Sequence, residues 1–550
     1  MKKWVAFLLV LRYCSALTFN ILPSKKIKES AQQEQLLEAE LSSDLSSFVN
    51  QAIEIADHSP ELLAEIDHDL DIHGLRKKAL RDADRRYFEQ RTPTFDALAD
   101  LPEPEVCSLQ LQDGRPRMPS MVVFVLLLLR GWIGGPKSCN FQLVLKESIT
   151  LHRFFSIYDC HVPRASTVAD NVNAVREETL QRILRAQLHY ARETDLETFE
   201  DMIADSTAVR ANSKYPTDSG LMSALGVRMT GLFDRLKKLK LGFPDWTKRV
   251  LAQRSIAVAG EIELQAKRIG MLSGKKNVRT TRNHLYAKIY TRVGRLVRTF
   301  TPILATVSKA VEKAPLPPSQ ARAAQRLIRQ SQEDLQHIAQ ISLYSRRRIF
   351  RDQSASASEK VYSISDEDAA IIKKGGWDNV LGYRPQLAFS KKGLVTAHCL
   401  PQGNAADSGQ LQNLLEENER NTGVVPKRVS LDDGYTNGRV RKSYLKKHEG
   451  QVEVFSFAGS KGRQVIGGDI YDSKEYKRAR SDRSAAESRI FTLKFNHGYE
   501  EVMRRGHQEV RHEQLTKAIS FNLRKLVWLR VERTRAEHDA MFKRAKKKAA

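Results

Sequence analysis

Asp205, Asp432 and Glu487 are the side chains best placed in this sequence to do chemistry. Asp205 interrupts an apolar run, Met202-Ile203-Ala204-Asp205-Ser206-Thr207-Ala208-Val209. Asp432 closes Val429-Ser430-Leu431-Asp432 and leads into Asp433-Gly434-Tyr435, the pattern of a strand running into a turn. Glu487 lies in a helical stretch, with Arg483 before it and Lys494 after it. Mg2+ prefers oxygen ligands and keeps several of its waters, so a few carboxylates from separate elements suffice to bind it. Paired divalent ions suit phosphodiester chemistry, because cutting adds negative charge to a group that already carries it. Asp205 is therefore expected to bridge two Mg2+ ions from a central strand, with Mn2+ as a substitute. Asp432 is expected to hold one ion from its strand end and Glu487 the other from a helix. Ligands in α/β sheets gather at such strand ends.

The Glu487 helix adds to this reading. At about 100° per residue, Arg483 lies roughly 40° from Glu487 and Lys494 roughly 20° away on the other side. One face thus carries a metal-binding carboxylate and two cations able to grip phosphate. Arg480 falls on the same face and is a further phosphate-contact candidate. The competing reading is a solvated helix of mixed charge, but Ile490 and Leu493 supply an apolar side for packing. Other polar residues have simpler roles. Asp407 is expected to cap a helix, and Asp218 to shape a turn. His507 and His512 read as surface residues and His398 as a packed strand residue. No phosphate-binding G-x4-G-K-[ST] loop is present, so nothing points to ATP.

These residues need elements to hold them. Residues 51–198 read as mostly helical, with a charged amphipathic helix at Leu75 to Phe88, a buried one at Met121 to Arg130 and a long one from Ser166 to about Thr194. Short helices broken by Gly and Pro turns, with Lys137, Arg153 and Arg164 near the turns, suit a DNA reader of helix-turn-helix type. A helical packing domain without DNA contact is the alternative. A strand at 200–209 follows. Residues 228–358 turn helical and basic, with Arg235, Lys237, Lys238 and Lys240, then Lys275, Lys276, Arg279 and Arg282, then Arg346-Arg347-Arg348. They could line a DNA channel or form a solvated spacer. Trp246, Tyr286 and Tyr290 are read as core residues before base-stacking ones. Val380 to Phe389 and Leu394 to Leu400 predict a hairpin across Lys391-Lys392-Gly393. A helix from Asp407, a strand at Lys427 to Asp432, a helix at Arg439 to Lys447, a strand at Gln451 to Phe457, a helix from Ser484 and a terminal helix at Ser520 to Arg530 complete the order. The expectation is an α/β fold: an RNase H-like mixed sheet interrupted by a helical insertion and preceded by an all-α N-terminal domain.

Composition narrows the partners. The chain has 550 residues, enough for several domains. It carries 90 Lys and Arg against 65 Asp and Glu, a net charge of +25. Clustered excess of this size points to nucleic acid ahead of an anionic membrane surface. The five cysteines are scattered and form no C-x-x-C pair, which supports neither a zinc site nor a disulfide framework and suits a reducing compartment. The apolar run Trp4 to Leu11 after Lys2-Lys3 has the look of a short signal peptide, but Arg12 interrupts it, and a buried or interfacial helix is preferred. Val122 to Leu129 falls far short of the ~20 residues a membrane span needs.

Five short motifs then occur in a telling order: Ile203-Ala204-Asp205-Ser206-Thr207, Tyr215-Pro216-Thr217-Asp218-Ser219, Gly403-Asn404-Ala405-Ala406-Asp407-Ser408, Asp432-Asp433-Gly434-Tyr435 and Arg483-x3-Glu487-x6-Lys494. In this order the chain resembles the DDE transposases of bacterial insertion sequences, most of all the ISNCY-type group, across roughly residues 120–530. Glu359 to Ser363 with Gly382-Tyr383, and Ile519 to Arg524, resemble that group's lead into the hairpin and its terminal helix. The resemblance implies Asp205, Asp432 and Glu487 as the catalytic triad, Asp432 being preferred to Asp433 because the group's acid stands two residues before the Gly. It implies Arg483 and Lys494 as phosphate contacts. Related enzymes often have Tyr three residues before the Arg, where this chain has Arg480.

The expected function is that of an insertion-sequence transposase, which binds the element's ends, cuts DNA with Mg2+ and joins the freed 3′-hydroxyl to target DNA. The partners are double-stranded DNA and further copies of the chain, at least a dimer on DNA, with no membrane. The expected location is the cytoplasm, at the nucleoid. The rivals are a non-catalytic DNA-binding protein descended from a transposase and a structure-specific nuclease with the same core. The expected organisation is an N-terminal segment at 1–50, a helical DNA-binding domain at 51–198, the first part of the core at 199–227, the insertion at 228–358, the second part of the core at 359–531 and a basic tail at 532–550.

Overall fold

Asp201 to Ser206 forms strand β1, and its neighbours explain its sequence. The computed structural model describes residues 44–90, 117–132, 138–213, 216–238, 246–356, 359–373 and 379–549. The apolar run Trp4 to Leu11 and the rest of 1–43, the break at Pro102 and Pro104, the turn at Gly134-Gly135-Pro136 with Lys137, Tyr215 and Lys240 lie outside the described residues. Among the described residues the other strands are β2 (Val209–Arg210), β3 (Ala370–Lys373), β4 (Asn379–Tyr383), β5 (Gln386–Phe389), β6 (Val395–Cys399), β7 (Arg428–Leu431) and β8 (Val454–Phe457). Five make one mixed sheet in the order β6-β5-β1-β7-β8. β5 runs antiparallel to β1 and β6, whereas β1, β7 and β8 run parallel. β1 is thus central and paired on both sides, which is why its first four residues are all buried.

The expected hairpin strand Val380 to Phe389 is in fact two strands in two sheets. β4 joins a small antiparallel sheet, β2-β4-β3, while β5 pairs with β1. Gly382 makes that small sheet possible: a Cβ there would stand 1.8 Å from the Val209 carbonyl oxygen, so only glycine lets β2 and β4 approach.

The chain divides into two compact units. The first gathers the described residues of 44–71, 117–212 and 370–549. The helical region expected as a separate N-terminal domain shares this unit with the sheet. Its helix Ser120–Trp132 is buried on all sides from Met121 to Leu129, which explains its uniform hydrophobicity. It packs on the terminal helix His507–Ala549, where the Ser520 hydroxyl donates to the Leu128 carbonyl oxygen at 2.7 Å. That terminal helix begins well before the expected Ser520. The long helix expected through Thr194 is two, Ala165–Ala174 and Glu177–Glu193, with extended backbone at Val175 and Arg176 between them. Arg176 is fastened there by buried Asp69, which accepts from its backbone N–H at 2.9 Å and from the Thr179 hydroxyl at 2.6 Å.

The second unit holds the described residues of 72–90 and 213–369 and is helical. It therefore takes in more than the insertion expected at 228–358. Helices Asp218–Thr230, Trp246–Gly270, Arg279–Lys313 and Pro318–Arg351 enclose a core that includes Ile262, Ile289, Leu296, Phe300, Ile338 and Ile341. Tyr286 and Tyr290 are core residues as expected, and the Tyr290 hydroxyl meets Ser345 Oγ at 2.7 Å. Arg347 and Arg348 of the basic cluster are ion-paired with Glu359 and Asp218. Asp218 is therefore no turn residue. It opens a helix capped by Thr217, whose hydroxyl accepts from the Gly220 N–H. Among the described residues no helix is long and apolar enough to cross a membrane, and Cys160 and Cys399 are free thiols.

Candidate active site

The site is built at the edge where β1 and β7 end. These strands are parallel, with Ala204 beside Leu431, so the next residues, Asp205 still within β1 and Asp432 just past β7, come side by side. Successive β1 side chains alternate between faces. Met202 and Ala204 join the apolar cluster under helix Asp407–Thr422, leaving Asp205 to the other face. Asp432 lies one residue past β7, with extended backbone, and leads into the short 3-10 turn Asp433–Tyr435.

Glu487 comes from helix Lys474–Asn496, which starts where the Ser473 hydroxyl accepts from the Tyr476 N–H and packs on β1, β7 and β8. The helix is longer than the stretch expected from Ser484. Its buried residues include Tyr476, Ala479, Ala486, Ile490 and Leu493. Spacings of three and seven leave one vacant place in that stripe, and Arg483 fills it. The small Ala479 and Ala486 on either side leave room for a long side chain to point at the sheet.

Arg483 is the hub of the site. One guanidinium nitrogen stands 3.3 Å from Asp432 Oδ1 and 3.9 Å from Asp205 Oδ2, and the other stands 3.3 Å from Glu487 Oε1. Three carboxylates far apart in the chain therefore converge on one cation. Among the described residues no three acidic, His or Cys side chains close around a single point as they stand; these three acids meet through the Arg483 guanidinium. Asp205 is the least exposed acid of the set and Glu487 the most. Burial pushes the Asp205 carboxyl up to about 6, and neighbouring Asp432 and Asp407 push the same way. The Ser206 N–H, which donates to it at 2.7 Å, and Arg483 oppose the rise. A carboxylate so crowded favours a nearby positive charge.

No family model, curated protein or solved structure matches this chain.

The remaining candidates fall into place around this hub. Asp433 is turned away, accepting from the Gly462 N–H at 3.1 Å and the Thr436 hydroxyl at 3.3 Å, which leaves Asp432 as the acid facing Asp205. Lys494, expected on phosphate, is buried, and its ammonium donates to the Ala208 carbonyl oxygen at 2.7 Å. It ties the helix to the turn just past β1. Arg480, the other expected phosphate contact, donates to the Tyr471 carbonyl oxygen at 2.6 Å and lies 3.7 Å over the Tyr471 ring.

Asp407 is more than the cap expected of it; the helix cap position is Ala406, and the Asp407 side chain makes no capping bond. Buried beside the site, it accepts from Arg384 at 2.6 Å, from Gln386 Nε2 at 3.0 Å and from the Ser206 hydroxyl at 3.2 Å. Tyr435 donates to the other end of the Gln386 amide. This network joins the residue after Asp205 to the turn after Asp432. A side chain at Gly434 would start 2.9 Å from Asp407 Oδ2, so the turn needs glycine for this approach. Sequence reasoning missed Arg384 and Gln386, whose only signal is polarity in an otherwise apolar hairpin. His398 is packed as expected, against the Tyr499 hydroxyl at 2.8 Å. His512 is buried, contrary to expectation, with Nε2 2.8 Å from the Val175 carbonyl oxygen.

Proposed function

We propose that this protein is a DNA transposase of the DDE type, cutting and joining DNA strands at Asp205, Asp432 and Glu487. The observation that carries this reading is the meeting of those three carboxylates on Arg483 at the edge of the central strands. The sheet order supports it: a central strand, an antiparallel hairpin on one side and two parallel strands on the other resembles an RNase H-like core. The net charge of +25 supports a polyanionic substrate.

The residues fit a pair of hard divalent ions, being oxygen donors only, on one edge, with one of them already desolvated. Asp205, Asp432 and Glu487 would hold Mg2+, with Mn2+ as substitute. When bound, the ions supply charge neutralisation and activation of a water or 3′-hydroxyl. The chain's own residues position the acids and the DNA. Lys494 fixes the turn after β1, the Asp407 network fixes Ser206 and Tyr435, and Arg483 is the cation nearest the site for a phosphate.

The test uses the full chain with a duplex that carries the DNA flanking its gene. Wild type nicks that duplex with Mg2+ or Mn2+ and yields strand-transfer product. Glu487→Gln and Asp205→Asn retain DNA binding but lose nicking by more than the ~10–100-fold that removal of a supporting group brings. Nicking that survives both substitutions would place the chemistry elsewhere. Nicking without any joined product would favour a structure-specific nuclease, and binding without nicking a non-catalytic DNA-binding protein.

A further inference from the structure

Arg483 is unusual for its position. It fills a place in the buried stripe of its helix, is only 20% exposed, and meets three carboxylates at once. Three carboxylates on one edge repel one another, and Asp205 in particular lies where water screens it poorly. A guanidinium is planar and always charged, with five donors, so it can serve several carboxylates together. It stands where the carboxylates converge, the same place that a divalent ion shared between them would favour. The two cations therefore compete for one set of oxygens.

We infer that Arg483 is a built-in counterion that holds the three acids together in the metal-free protein and is displaced when divalent metal binds. This rests on the proposed two-metal site and adds a role for the arginine in it. Displacement leaves the guanidinium one helical turn from Glu487, at the mouth of the site and without its carboxylate partners. It then meets the phosphate of an incoming strand, which couples metal loading to DNA capture. Each cation weakens the other's hold on the acids, and such coupling is reciprocal.

The experiment measures Mn2+ binding to the full-length protein without DNA, by the loss of free-ion paramagnetic signal. Wild type, Arg483→Gln and Asp205→Asn are compared. Removing the competitor should tighten Mn2+ binding in Arg483→Gln by roughly 5- to 150-fold, the usual span of coupling between sites. Asp205→Asn should weaken it. Equal or weaker binding by Arg483→Gln, with wild type binding normally, overturns the counterion role and leaves the metal site standing. Absence of Mn2+ binding in both overturns the metal site as well. Should Arg483→Gln fail to fold, the wild type supplies the second measurement. With non-catalytic Ca2+ present, freeing one arginine should steepen the dependence of log K for DNA on log salt by about 0.9. An unchanged slope overturns the proposal.

Discussion

Lys494 shows how one side chain can have the right register and the wrong surroundings. An ideal helix puts it roughly 20° from Glu487, yet its ammonium is turned inward to the Ala208 carbonyl oxygen. Its partner lies in the turn after β1, and nothing near Lys494 in sequence announces it. Lys494→Met should therefore cost stability, about 1–2 kcal/mol for a buried bond to a carbonyl, read from the urea midpoint. The salt slope of DNA binding should stay unchanged in that variant, whereas Arg483→Gln should lower it by about 0.9 in the presence of Ca2+. A Lys494 variant with the lower slope would restore the phosphate contact. Asp407 teaches the same lesson. An acid in the first helical turn reads as a cap, but its donors Arg384 and Gln386 arrive from the hairpin. Arg384→Ala leaves buried Asp407 without its cation. The expected loss is roughly 2–4 kcal/mol, under the 3–5 typical of a fully buried pair because Arg384 is partly exposed.

Elements were legible where their hydrophobic period was strong and their boundaries were not. The run Met121 to Leu129 announced a buried helix because every position is apolar. β4 and β5 read as one strand because their residues are continuously strand-like. The division between two sheets depends on Gly382 meeting the Val209 carbonyl, a contact between distant segments. Gly382→Ala should force β4 off β2 and destabilise the protein by about 3 kcal/mol or more, the upper range of overpacking, measured by chemical unfolding. The terminal helix carries an acid-sensitive residue. Burial lowers His512 to about 4, and β6 carries a second such residue, His398, lowered to about 3. Between about pH 6.5 and pH 4 the unfolded chain protonates both while the folded protein protonates neither, so the unfolded state is favoured as pH falls. Stability should decline between about pH 6.5 and pH 4, by up to ~1.4 kcal/mol per pH unit for each histidine. His512→Gln should make that decline shallower in unfolding curves taken at pH 7 and pH 5.

For the whole molecule, two units with separate cores predict unfolding that is not all-or-none. Calorimetry should find a van't Hoff enthalpy below the calorimetric one, and equality of the two would mean a single cooperative unit. The net charge of +25 predicts DNA binding governed by phosphate contacts. With about 6–10 such contacts, affinity should fall ~10³- to 10⁵-fold between 50 and 200 mM salt, measured by fluorescence anisotropy. Some of the basic side chains are already engaged within the protein: Arg347, Arg348 and Arg480 each have protein partners. Counting basic residues in the sequence therefore overstates the charge left for a partner.

By itself the sequence determined the mixed helix and strand content and the basic charge, and it singled out Asp205, Asp432 and Glu487 as candidates. Periodicity, composition and an acid set in an apolar run are local properties, readable residue by residue. Only the tertiary structure decided that Arg483 joins the three acids, that Asp433 and Lys494 face away, and that Asp407 belongs to a buried network. Those outcomes depend on which distant backbone comes to lie beside each side chain, and strand order and helix docking set that through packing that no single segment contains.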